Sequence, residues 1–399
     1  MARVDYPNIS KAAPGRARPP GILQVLPALV TGGVERGAID VAKAVQAAGW
    51  NAIVASEGGH MVRELERAGV MHLTLPMAAK NPFVMRANVH RLLDIIETHD
   101  IDLVHARSRA PAWSARAAAR RKGVPFVTTI HGTYGAGNPL KRLYNSVMTK
   151  GDRVIAISQF IADHAQATYG VDPNRMVVVP RGLDLGRFDP AKVSAERMAT
   201  LAHTWRLVDG VPVVLLPGRL TRWKGQMVLI EAMARLVKDM GHDQLFCLLV
   251  GDDQGRVGYR RQLESAVRRH GLGSVVRLVG ECRDMSACYM LADVVVSAST
   301  EPEAFGRVIA EAQAMGRPVI ATDHGAARET VRVNESGWLV PPNDPAALAK
   351  ALHEVLRLGP VKRQEMAVAA RRNIAERFTV ERMCEQTLAV YGELLARPR

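Results

Sequence analysis

The second half of the chain keeps one rhythm. Val213–Leu216, Gln244–Val250, Val275–Val279, Asp293–Ser297, Pro318–Ala321 and Ser336–Val340 are short stretches dominated by Val, Leu and Ile, and helix-length segments separate them. Short apolar runs bounded by turn residues predict strands buried on both faces, as in a parallel sheet covered by helices. The first half repeats the pattern in Ile22–Leu26, Asn51–Ser56, His72–Leu75, Ile101–His105, Pro125–Ile130, Arg153–Ile157 and Met176–Val179. Two such halves in 399 residues predict an α/β chain of two Rossmann-like domains and not a single barrel.

In sheets of this kind ligands collect beyond the carboxyl ends of the strands, so the residues after each run matter most. After Asp293–Ser297 comes a stretch with two carboxylates, Glu303 and Glu311, and Phe305-Gly306 between them. A helix starting near Gly306 leaves Glu303 in the preceding loop and puts Glu311 farther along, so both reach one ligand from two sides. The amides of Gly306, Arg307 and Val308 are then the unpaired donors of a first turn, suited to an anion. After Val213–Leu216, Gly218 turns the chain, and Arg219 and Lys224 follow. With a helix expected from Lys224 to about Val237, two cations beside a helix N-terminus predict a diphosphate cradle. In the first half, Gly32-Gly33 lies between a strand and a helix expected over Glu35–Ala48, where backbone can approach a ligand closely. It is not GxGxxG. His131-Gly132 closes the strand Pro125–Ile130, another ligand-facing position. A diphosphate clamp, carboxylates able to accept from a diol and a sheet-end histidine together support sugar-nucleotide binding.

These motifs, in this order, resemble the retaining glycosyltransferases of the GT-B fold, the large family 4 and group 1 type that includes sucrose-phosphate synthases and lipopolysaccharide and mannosyl transferases. The resemblance spans nearly the whole chain: Thr31-Gly32-Gly33-Val34-Glu35-Arg36, His131-Gly132, Pro180-x-Gly182-x-Asp184-x-x-x-Phe188, Arg219-x4-Lys224 and Glu303-x7-Glu311. It implies two Rossmann-like domains around a deep cleft: an acceptor-binding domain over 21–195, a nucleotide-sugar domain over 205–378, and a terminal helix, 379–399, packing back on the first. The expected boundary lies between Asp189 and about Asp209. Catalysis is implied to rest on His131, Arg219, Lys224 and Glu303. Donor contacts are implied at Gly32, Gly33, Gly280, Cys282, Phe305, Gly306, Arg307, Val308 and Glu311, with backbone of the loop after Gly280 holding the nucleobase. The implied reaction is front-face attack with retention, the leaving phosphate taking the acceptor proton. No metal or other cofactor is expected beside the nucleotide-diphosphate sugar, because no DxD pair stands in a setting suited to Mg²⁺.

Composition narrows the setting. Four cysteines, Cys247, Cys282, Cys288 and Cys384, lack CxxC or metal-ligand spacing and suggest reduced thiols in a cytoplasmic protein. The first 20 residues, basic and Pro-rich, suggest a disordered leader. Formal charge is +14. Between 101 and 150, Arg107, Arg109, Arg116, Arg120, Arg121, Lys122, Lys141, Arg142 and Lys150 face only Asp102. Nucleic acid, an anionic membrane surface and an acidic acceptor all match such a patch; a peripheral contact at the inner face of the cytoplasmic membrane is one expectation, and the resemblance implies a cell-envelope glycolipid or polysaccharide as acceptor. In Pro139–Lys150 the apolar residues Leu140, Leu143, Tyr144 and Val147 form a stripe beside Lys141 and Arg142. A GT-B epimerase or hydrolase is the alternative enzyme. A nucleic-acid-binding protein is the alternative from another class, but aromatic residues, 5% of the chain, do not interleave the basic ones.

Overall fold

The computed structural model describes residues 18–30 and 32–397; the expected leader lies outside them through residue 17. The chain divides into two compact units. One runs through Gly182 and adds the C-terminal segment from Val380; the other is Leu183–Thr379.

The first unit carries strands β1 (Gly21–Val25), β2 (Asn51–Ser56), β3 (Met71–Thr74), β4 (Ile101–Ala106), β5 (Phe126–Ile130), β6 (Arg153–Ala156) and β7 (Met176–Val178). They pair in parallel in the order β3-β2-β1-β4-β5-β6-β7. The order reverses direction between β1 and β4, the switch point at which open α/β sheets place ligands. Every residue of β1, β4 and β5 is buried, which is why these strands read as unbroken apolar runs and not as alternation. The helix Gly33–Ala47 covers one face with Ala38, Ile39, Val41, Ala42 and Val45. The final helix, Val380–Leu395, belongs to this unit and inserts Met383, Leu388, Tyr391 and Leu394 into the same core.

The second unit carries β8 (Val213–Pro217), β9 (Phe246–Val250), β10 (Val276–Gly280), β11 (Val294–Ser297), β12 (Val319–Thr322) and β13 (Gly337–Val340), again all parallel, in the order β10-β9-β8-β11-β12-β13. Its switch point lies between β8 and β11. The helices Gln226–Met240 and Pro345–Leu356 bury Leu229, Met233 and Leu236 together with Leu348, Leu352 and Val355 in one core.

The division falls at Leu183 and not beyond Asp189. Leu183 pairs in parallel with Thr379 and its amide donates to the Phe378 carbonyl, 2.8 Å. Phe188 packs edge-on against Tyr289, and Arg197 grips Asp284 with two bonds of 2.6 and 2.7 Å. Residues 183–197 are therefore built into the second unit.

Candidate active site

In the second unit the expected residues come from loops beside the switch point. β11 runs out into a loop that ends at Gly306, the N-cap of the helix Arg307–Ala314. Glu303 stands in that loop and Glu311 on the helix, as their spacing predicts. The loop is pinned by the Glu303 carbonyl, which accepts from the Ala326 amide at 3.0 Å, and by the Thr300 amide, which donates to the Trp223 carbonyl at 2.7 Å.

Lys224 does not begin a helix. It ends a 3₁₀ turn, Arg222–Lys224, and the α-helix starts only at Gln226, after Gly225 in the left-handed conformation at φ 74°. A Cβ at Gly225 would lie 1.7 Å from the Ala298 carbonyl oxygen, so only glycine lets this turn pack against the end of β11. That packing sends Lys224 toward the acidic loop. Its Nζ donates to Glu303 Oε1 at 2.7 Å, and the two side chains are only 14% and 15% exposed. Ser299 Oγ donates to the same oxygen at 2.6 Å. The expected pair of cations thus separates in role. Lys224 is half-buried and ion-paired across 79 residues of sequence, whereas the Arg219 side chain is exposed and engages no hydrogen-bond partner among the described residues. Lys224 retains donors beyond the one given to Glu303, since an ammonium has three.

Glu311 is buried, with both oxygens engaged. Tyr289 Oη donates to Oε2 at 2.8 Å and Arg307 donates to Oε1 at 2.7 Å. Burial, with the neighbouring Glu311 carboxylate, pushes the Tyr289 hydroxyl well above its ordinary range, so it stays a donor. Two residues of the implied contact set have side chains engaged within the protein. Phe305 is 5% exposed and stacks edge-to-face on Phe378, 5.7 Å between ring centres. Its ring anchors the loop from the core side. The Arg307 side chain is committed to Glu311, while its amide and that of Val308 remain in the first turn. Gly280 ends β10, and its carbonyl accepts from the Gly251 amide at 2.7 Å. Beyond it, a hydrogen bond with the buried Cys288 thiol draws the Cys282 thiol below its ordinary range.

In the first unit Gly32 caps the helix Gly33–Ala47 without a side-chain bond, and His131 follows β5. Sequence reasoning missed the residue that joins them. Arg181, in the segment after β7, donates from Nη2 to His131 Nδ1 at 2.9 Å. Its other terminal nitrogen lies over Gly33, 1.9 Å from where a Cβ would stand. His131 Nε2 is buried and has no partner among the described residues. Burial first, then the charges of Arg181 and Arg107, hold the imidazole well below its ordinary pKa. The motif position of Arg181, between Pro180 and Gly182, was the only signal available for it.

Arg107, at the end of β4, is 4% exposed; its Nε donates to Gln24 Oε1 at 2.5 Å and its Nη2 has no partner among the described residues. His105 spans Tyr391 and Thr129, at 2.5 and 2.7 Å. Among the described residues no three His, Cys, Asp or Glu side chains cluster to hold a metal, and no helix is long and apolar enough to cross a membrane.

Two parallel sheets with sheet-end loops of this composition define the GT-B class, and comparison with known proteins agrees. Residues 31–187 match the model of Glycosyltransferase Family 4 and residues 201–373 that of Glycosyl transferases group 1. The D-inositol 3-phosphate glycosyltransferase of Geodermatophilus obscurus is 31% identical over 390 residues, covering 90% of this chain and 81% of the relative. A crystal structure of a glycosyltransferase from Rickettsia africae superposes with a TM-score of 0.87 at 37% identity, over 95% of this chain and all of the other. The Anabaena protein HepE, crystallised with UDP, gives 0.81 at 25% identity over 94% of this chain and all of its own. The chain belongs to the family 4 and group 1 glycosyltransferases and is a nucleotide-sugar glycosyltransferase of the GT-B type.

Proposed function

We propose that the chain is a retaining, metal-independent transferase that moves a sugar from a UDP-sugar to a cell-envelope glycolipid or polysaccharide. The observation that carries the donor side is the coupling of Lys224 to Glu303 beside the N-terminus of the helix that bears Glu311. Lys224, Arg219 and the amides of Arg307 and Val308 neutralise charge as it builds on the leaving diphosphate, a form of stabilisation that acts mainly in the transition state. Lys224 is held in place beforehand by Glu303, so little reorganisation is needed. Glu311, fixed by Tyr289 and Arg307, accepts from the ribose hydroxyls, and the free Oε2 side of Glu303 accepts from the sugar. The loop after Gly280, Cys282 included, supplies backbone groups to the base. His131, with Gly32 and Gly33, contributes contacts to the sugar and the donor phosphates. The bond from the anomeric carbon to phosphate breaks, the acceptor oxygen bonds to that carbon on the same face, and its proton passes to the leaving phosphate.

UDP is favoured as the nucleotide because HepE was crystallised with UDP and with UDP-glucose. The glycolipid acceptor is supported by the helix Pro139–Ser146. Leu140 and Leu143 are 80% and 61% exposed beside Lys141 and Arg142, while Val147 is buried. The expected apolar stripe is therefore split, and its outer half has the make-up of a contact with an anionic membrane surface. A second acceptor class, a soluble polyol phosphate, is favoured by the likeness to the D-inositol 3-phosphate glycosyltransferase of Geodermatophilus obscurus. Incubating the full chain with UDP-sugars and both acceptor classes, with EDTA present, tests the reading. A product whose anomeric configuration, by proton NMR, equals that of the donor is expected. Inversion, or transfer only after a divalent cation is restored, contradicts it.

A further inference from the structure

His131 Nδ1 faces a guanidinium, and a guanidinium only donates. The hydrogen bond of 2.9 Å therefore leaves Nδ1 the acceptor and puts the imidazole proton on Nε2. That Nε2–H is buried and has no partner among the described residues, an arrangement that costs free energy until an acceptor arrives. Arg181 is itself held against the first turn of the helix Gly33–Ala47, where the missing side chain of Gly33 makes room for it.

We propose that Arg181 is a positioning residue: it locks His131 as a neutral Nε2–H donor aimed at a ligand oxygen, which bars His131 from acting as the reaction's base. This rests on the reading that His131 meets the sugar. The oxygen it takes is a hydroxyl or ring oxygen, the class of atom that a neutral N–H serves and that the neighbouring cations do not neutralise. Among the described residues, the charges that act on the ring include no acid. Those are Arg181 after β7 and Arg107 at the end of β4. His105 on β4 is coupled to it, and Tyr134 in the loop beyond bonds its backbone. Asp40, on the helix Gly33–Ala47, acts on Arg107.

Two readouts test this on the full chain. In ¹⁵N NMR of the imidazoles, His131 is expected to show one protonated nitrogen, Nε2, and to hold that state down to pH 6. Arg181→Met is expected to mix the two tautomers and raise the pH at which the ring takes a second proton, whereas Arg181→Lys, which keeps a donor, preserves the wild-type pattern. Gly33→Ala, which displaces the guanidinium, is expected to reproduce Arg181→Met. In the transfer assay Arg181→Met is expected to lose about tenfold in kcat, the worth of one hydrogen bond, and its acid limb to move to higher pH. An Nδ1–H tautomer in the wild type, or an unchanged tautomer in Arg181→Met, overturns the proposal. A chain with the Nε2–H tautomer in place that transfers no sugar overturns the transferase reading instead, because the NMR pattern does not depend on turnover. Circular dichroism and the Lys variant separate both results from failure to fold.

Discussion

Lys224 gives one of its three N–H donors to Glu303, and the proposed reading assigns the others to the donor diphosphate. Lys224→Met removes those donors and strands Glu303 beside Ser299. We expect kcat/KM to fall by about 10²–10³-fold, the range for losing one preorganised donor, with a smaller loss for the exposed Arg219→Ala. Equal losses in steady-state kinetics would contradict the difference in their settings. At Gly225 the prediction concerns stability. A left-handed φ and a carbonyl at 1.7 Å together predict that Gly225→Ala costs about 1–3 kcal/mol; an unchanged urea midpoint would contradict it. The carboxylate pair was legible from its spacing, one member in the loop before a helix and one on it, because i to i+8 geometry is local. The partners of that pair were not. Lys224 and Glu303, like Arg181 and His131, are 79 and 50 residues apart in sequence, and only strand order brings them together. Phe305, next to the motif glycine, reads as a ligand contact, and its ring is packed against Phe378.

The strands were legible to within about two residues, since apolar runs mark them; helix starts were less so, although Asn81, Asn138, Ser158 and Asp344 each cap a helix with a side-chain bond. The start of the helix after β8 was misplaced because Lys and Trp hide a 3₁₀ turn that Gly225 ends. At this scale pH is the informative variable. His105 on β4 and His131 after β5 are both held well below the ordinary imidazole pKa, first by burial. The unfolded chain takes up protons near pH 6.5 and the folded one resists, so stability is full above about 6.5 and is lost as pH falls toward the folded values. The melting temperature is expected to drop by at least about 2 °C between pH 7.5 and 5.5, and His105→Gln to reduce that dependence. His242 and His353, 3.0 Å apart, join the helices Gln226–Met240 and Pro345–Leu356; His242 is lowered by burial and by its neighbour, which works in the same direction. A melting temperature that rises on acidification would contradict this. For the helix Pro139–Ser146, Leu140→Ser with Leu143→Ser is expected to reduce co-sedimentation with anionic vesicles and leave that with neutral ones unchanged.

At the scale of the whole molecule, the repeated strand rhythm was enough to give two parallel sheets, because full burial leaves no polar alternation to confuse the count. The line between the units was harder to see. The segment from Leu183 to Arg197 looks like a linker, yet Thr379, Tyr289 and Asp284 hold it in the second unit. The central claim is that a nucleotide-diphosphate sugar binds at the Lys224–Glu303 couple without metal. Thermal unfolding of the wild type and of Lys224→Met, each with UDP-, GDP- and ADP-sugars in EDTA, tests it most directly. A ligand at 100 times its dissociation constant adds about 2.7 kcal/mol. UDP-sugars are predicted to raise the wild-type midpoint by several degrees and leave the variant nearly unmoved. Equal shifts in both proteins, or a shift that appears only when a divalent cation is added, would contradict it.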